Sequence, residues 1–216
     1  MDETLWDLVD PYTYLGYLKV NSKVSAVHLE AVLNLYGQIH RHYHGLYHIA
    51  FLYALHDHLS FDADVSYLDI TRLKDICDAI LYHDSVYDPT SKLNEHNSTQ
   101  LWIAHGGKPG DWVSNAIMAT AAHLTERPVE NDEDRLREWF VGLDLASLAA
   151  PWDIFTLNNR LIRLEFSHVS DEHWKGGRTS FIESLSGGTI YRDPILHGLF
   201  EDRAHANITR LLKEGV

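Results

Sequence analysis

The side chains best suited to chemistry fall at three places in the chain: Arg41-His42-Tyr43-His44 with His48 close behind, the pair His83-Asp84, and Asp144. The pair is the most informative. It follows Ala79-Ile80-Leu81-Tyr82, the end of an apolar run whose side chains should point into the fold. A buried ionisable dipeptide is costly unless it is paired or bound to a cation. A divalent metal resolves that cost for both residues at once. Asp144 stands as a single acid inside Gly142-Leu143-Asp144-Leu145 and poses the same problem. Imidazoles and carboxylates together suit Mn, Fe, Co, Ni or Zn better than Ca or Mg. Two histidines and two aspartates, His48, His83, Asp84 and Asp144, leave positions open for water and a substrate oxygen, which is the catalytic arrangement.

The elements that must position these residues read as helices separated by short polar loops. Apolar spacing predicts helices over residues 25–36, 40–58, 71–83, 95–105, 111–124, 132–144 and beyond, 152–166, 178–185 and 194–212. Strand-like alternation is scarce, so the expected class is all-α. In a helix over 40–58, Arg41, His44 and His48 stand at i, i+3 and i+7 and share one face. Asp88-Pro89 breaks the pattern after the His-Asp pair, and Gly106-Gly107 ends the helix that follows.

A chain of 216 residues with no repeat or low-complexity linker suits one domain, with residues 1–24 as an N-terminal extension and 25–214 as the helical core. The single cysteine, Cys77, excludes an intrachain disulfide and fits a reducing compartment. Residues 1–10 are acidic, unlike a secretory signal, and no stretch approaches the ~18 apolar residues of a membrane span. The cytoplasm is the default compartment. A formal charge of −13 argues against an extended nucleic-acid surface and leaves room only for a local pocket for a small anion. The 15 histidines are the unusual feature of the composition.

The order His48, His83-Asp84, Asp144 resembles the H…HD…D signature of HD-domain metal-dependent phosphohydrolases. The flanks carry the resemblance further, toward one bacterial branch of predicted HD phosphohydrolases: Arg41-His42-Tyr43-His44, Tyr82 with Val86 and Tyr87, Asn94-Glu95 with Ser98, and Thr120 with His123. Leu143-Asp144-Leu145, Arg163 with Glu165, Gly177-Arg178, and Arg203 with Asn207 complete it. The similarity spans about residues 36–212. It implies an HD-type helical bundle around a metal site and hydrolysis of a small phosphate ester, a nucleotide or deoxynucleotide foremost. Self-association as a homodimer is a further expectation.

Within that reading, Glu95 is the candidate proton carrier or water-orienting acid, although an N-terminal glutamate is also favoured by the helix dipole. Arg41 and His44 are expected to contact phosphate and offset developing charge. His123 is a candidate site residue, or a core histidine bonded to a carbonyl. Arg163 and Arg178 either line the pocket or form structural ion pairs. Three alternatives remain. One is a di-iron oxygenase, for which His96, His105 and His123 could supply further ligands. The second is a nucleotide-sensing module without turnover, and the third is hydrolysis of a pyrophosphate-bearing alarmone on the same scaffold.

Overall fold

Half of the helices begin where a short polar side chain stands one residue ahead of the helical run and accepts an N–H of the first turn. Ser25 accepts from His28, Asp111 from Ser114, Asn131 from Asp134, Ser170 from His173, and Asp193 from Ile195 and Leu196. Pro194, with no N–H to leave orphaned, follows that last cap. The computed structural model describes Trp6 and residues 11–61, 66–69 and 72–215. Among the described residues it contains ten α-helices and no strand. They are α1 (Pro11–Asn21), α2 (Ala26–Tyr36), α3 (Leu46–Phe61), α4 (Leu73–Tyr82), α5 (Asn94–Ala104), α6 (Trp112–Thr120), α7 (Asp132–Asp144), α8 (Trp152–Glu165), α9 (Asp171–Ser186) and α10 (Pro194–Glu214). Short 3-10 helices include Ser66–Leu68 and Ala146–Ala149. No described helix is long and apolar enough to cross a membrane.

The chain is therefore all-helical, with four departures from the expected bounds. Residues 41–45 form turns, and α3 starts only at Leu46, so Arg41, His44 and His48 do not share a helix face. Helix α6 stops at Thr120, which leaves His123 on a turn. Helix α9 begins at Asp171, seven residues before the expected start. Within the expected N-terminal extension, α1 packs against α3 and α4, burying Leu18 completely. Residues 1–5 and 7–10 of that extension lie outside the described residues.

Helix α4 sits at the centre, in contact with α1, α2, α3, α5, α6 and α7. Its residues from Ile76 to Tyr82 are all buried, as are those of α3 from His48 to His56. Ile76, Cys77 and Ile80, the face that apolar spacing turns inward, are completely buried, and so is Asp78. Helices α3, α4 and α7 touch one another pairwise, and these three carry the candidate ligands. Buried polar bonds fix the chain beside them. The Tyr36 hydroxyl donates to Leu81 O, Tyr191 donates to Leu145 O, and Asn207 Nδ2 donates to Leu148 O and Ala150 O.

Candidate metal centre

His48 lies in the first turn of α3, His83 directly follows α4, and Asp144 is the last residue of α7. Three helix ends thus bring residues 35 and 61 positions apart in sequence to one point. His48, His83 and Asp144 each offer an atom within 4.8 Å of the others. His48 Nε2 lies 3.1 Å from Asp144 Oδ1 and 3.2 Å from His83 Nε2, and His83 Nε2 lies 3.6 Å from Asp144 Oδ1. Asp84 adjoins this trio, its Oδ2 3.2 Å from His83 Nε2 and 3.9 Å from His48 Nε2. Ligands held ~2.1 Å from a common transition metal stand about 3.0–3.4 Å apart at neighbouring positions, and farther at wider angles. The donor set and its spacing therefore fit a divalent transition metal.

The protonation of the two imidazoles supports the same fit. His83 Nδ1 donates to Ile80 O at 3.0 Å, which directs Nε2 toward the carboxylates. Burial works to lower the His83 pKa, but Asp84 and Asp144 overcome it and hold the imidazole well above its ordinary range. Burial also opposes ionisation of the two aspartates, and His83 outweighs it, so both stay below the usual carboxylate range. Carboxylates that hold a proton on His83 this firmly would accept a divalent cation in its place, with release of that proton. At His48 burial prevails and lowers the pKa, keeping the ring in its neutral, ligating form.

Around this core the structure gathers two further histidines. His123 Nε2 lies 2.7 Å from Asp144 Oδ2, so the turn after α6 orients the acid from outside. His44 Nδ1 lies 2.6 Å from Glu165 Oε2, and its ring stands 5.8 Å from that of His48. The other Glu165 oxygen accepts the backbone N–H groups of His42, Tyr43 and His44 at 2.7–2.9 Å, and Tyr87 donates its hydroxyl to Oε2 at 2.8 Å. Burial would raise the Glu165 pKa, but His44 and these N–H groups bring it down to about 2. This carboxylate is what turns residues 42–44 away from the helix that their spacing suggested. Burial also opposes the charge on His44, yet Asp84 and Glu165 raise its pKa.

The remaining expected site residues stand elsewhere or act differently. Arg41 is buried, and its Nε donates to Gln38 Oε1, Nη1 to His44 O and Asp84 O (3.1 and 2.6 Å), and Nη2 to Ser85 O (2.9 Å). Its guanidinium also lies over the rings of Tyr36 and Tyr87. So committed, Arg41 holds the turn that carries His83 and Asp84, which corrects the expectation that it reaches for phosphate. Arg163 donates to Phe166 O, Val169 O and Asp171 Oδ1, closing the turn between α8 and α9. Arg178 donates to Asn159 Oδ1, and burial pushes its pKa down to about 10. Glu95 stands in the first turn of α5 and its carboxylate makes no hydrogen bond or ion pair with the described residues. Its neighbours tie α5 to the loop after Asp84: Asn94 exchanges two bonds with the Asp88 backbone, and Ser98 accepts from Val86 N. Of the other histidines considered as ligands, His105 accepts from the Tyr82 hydroxyl and stacks on His28, and His96 is exposed.

Sequence reasoning assigned no role to Tyr43, Tyr87 or Ser147. The Tyr43 hydroxyl donates to Ser147 Oγ at 2.8 Å beside His48, and Tyr87 joins Arg41 to Glu165. Two tyrosines set among histidines and an arginine were the available signal. Comparison with protein-family models, with curated proteins and with solved structures finds no match to the chain.

Proposed function

We propose that this protein is a metal-dependent phosphohydrolase acting on a small phosphate ester. The observation that carries the reading is the convergence of His48 Nε2, His83 Nε2, Asp84 Oδ2 and Asp144 Oδ1, with neighbouring separations of 3.1–3.9 Å, at three helix ends. A divalent transition metal held by these residues supplies Lewis acidity, polarising a phosphoryl oxygen and easing the deprotonation of water. The chain's own residues supply the rest. His123 and the buried His83–Ile80 bond fix the orientation of an acid and an imidazole in the cluster. His44, held through Nδ1 by Glu165, keeps Nε2 available beside the cluster. The Glu165 carboxylate favours the protonated form of His44, which suits it to give a proton to a leaving oxygen. Arg41 keeps the His83-Asp84 turn from shifting.

The resemblance to HD phosphohydrolases favours a nucleotide as substrate. A single ion is the preferred stoichiometry, because of His96, His105 and His123 only His123 contacts the cluster. The deciding experiment is phosphate release from a panel of phosphate esters by metal-stripped protein reloaded with Mn, Co, Ni, Zn or Fe. Asp84→Ala serves as the control. Turnover that disappears in the control supports the hydrolase reading, and no turnover with any of the five metals rejects it.

A further inference from the structure

A cavity of about 330 Å3 opens directly beside His48. Tyr43 and His48 form its wall on the side of the cluster, and Trp6, Phe51, Ile154, Leu157 and Leu161 supply an aromatic and aliphatic lining. Trp6 stacks on Phe51 with ring centroids 5.3 Å apart. Ser147 and Asn158 add polar contacts. No lysine or arginine lines the cavity, and His42 is the one basic side chain besides His48 in its lining. All 18 lysines and arginines fall among the described residues, so the segments outside them supply none.

The charge balance around the cluster points the same way. Asp84, Asp144 and Glu165 lie close together, Arg41 is committed to carbonyl groups, Arg163 closes the turn between α8 and α9, and Arg178, whose charge reaches Tyr43, is bonded to Asn159. A polyphosphate carries several negative charges and would need cations that this wall does not have. An uncharged ring would instead exchange water for apolar and aromatic surface. A cavity of this size falls at the small end of ligand sites.

Resting on the proposed hydrolase reading, we infer that the substrate carries one phosphate on an uncharged, ring-bearing alcohol, with the ring seated against Trp6, Phe51 and Leu157. The cavity shares His48 with the metal cluster, and Tyr43 packs against the His48 ring, so a ring seated there lies beside one of the proposed metal ligands.

The test uses the full chain loaded with Mn2+ and calorimetric binding of three probes: phenyl phosphate, inorganic phosphate, and tripolyphosphate presented as its manganese complex. Phenyl phosphate should bind about tenfold more tightly than either of the others, the gain expected for burying one ring. Leu157 is half exposed on α8, so Leu157→Trp fills the cavity from its mouth without disturbing the core. This variant should bring phenyl phosphate close to inorganic phosphate while Mn2+ affinity stays unchanged. Leu161→Trp provides a second filling variant from the same helix. Tighter binding of tripolyphosphate than of phenyl phosphate overturns the inference, as does a phenyl preference that survives both variants. Phenol release is followed in the same samples, so binding and turnover are scored separately and failure of the hydrolase reading stays distinguishable. A protein that prefers phenyl phosphate but hydrolyses nothing loses the reaction and keeps the pocket, and one that hydrolyses esters but binds all three probes equally loses the pocket alone.

Discussion

Two groups of buried acids lie within a few ångströms of His44 and His48, and their surroundings differ in kind. Glu165 faces N–H and O–H donors: three backbone amides, the Tyr87 hydroxyl and the His44 ring. Both of its oxygens are satisfied by the protein itself, and it shapes the turn at residues 42–44. Asp84 and Asp144 face imidazole nitrogens instead, His83 Nε2 and His48 Nε2, atoms that bind a cation as readily as a proton. A buried acid ringed by N–H donors is a structural fastening. Buried acids that converge with imidazole nitrogens keep an unmet demand for positive charge, and that demand is what makes a metal site.

The largest effect that would test the contrast comes from the ligands. Asp84→Ala should lower Mn2+ affinity by more than the ~100-fold that changes outside the ligand set cost, with a smaller fall in the melting temperature of the metal-free protein than Glu165→Ala causes. Metal content after dialysis, read beside a thermal melt, checks both halves. A variant that unfolds would place Asp84 with Glu165 as a fastening.

Glu165→Ala should behave in the opposite way. It strands buried N–H groups and a buried hydroxyl, for a loss of about 3 kcal/mol or more, seen as a melting temperature lower by roughly 6–12 °C at 2–4 °C per kcal/mol. Metal affinity should fall far less than in Asp84→Ala. If the two variants lose metal equally with no change in stability, the distinction between the acids collapses.

Arg41→Lys sharpens the comparison from outside. A lysine keeps the charge but cannot bridge the Asp84 and Ser85 carbonyls as the guanidinium does. Metal affinity should drop by roughly 10–100-fold. A change confined to the KM for a phosphate ester, with metal binding intact, would restore Arg41 to direct phosphate contact.

Asp78 is a further buried acid, with fewer partners than Glu165 and no imidazole. It accepts only the Ser22 hydroxyl and the Lys23 N–H, and burial pushes its pKa up to about 6. The folded pKa lies above the unfolded one of about 3.9, so its contribution to stability is full below pH ~4. It declines as pH rises to about 6 and is constant beyond. Asp78→Asn should therefore be more stable than the parent at pH 7.5 by about 1–2 kcal/mol, with the advantage vanishing near pH 4. Denaturant titrations at the two pH values measure this, and an advantage independent of pH would refute it.

Much of the helical layout was legible because its causes are local. Ser25, Asp111 and Asn131 announce helix starts by capping chemistry, and Gly106, at φ +109°, follows the end of α5 as a positive-φ glycine should. His83-Asp84 and Asp144 were legible as functional because ionisable residues in apolar stretches need a partner. Residues 40–45 were misread as helix because periodicity reports only what the segment's own side chains favour. The decisive partner there is Glu165, more than a hundred positions away, whose carboxylate takes three consecutive N–H groups.

The sequence by itself determined the helical class, most helix starts and the identity of the His and Asp residues that converge in one cluster, since capping, apolar spacing and the cost of buried charge act at short range. Only the tertiary structure decided what each charged side chain does. Arg41 became a clamp, Glu165 a cap and His123 an orienting partner because hydrogen-bond donors and acceptors are shared among distant segments. The same packing of α3, α8 and Trp6 made an apolar cavity beside His48, and no single stretch of the chain could have announced it.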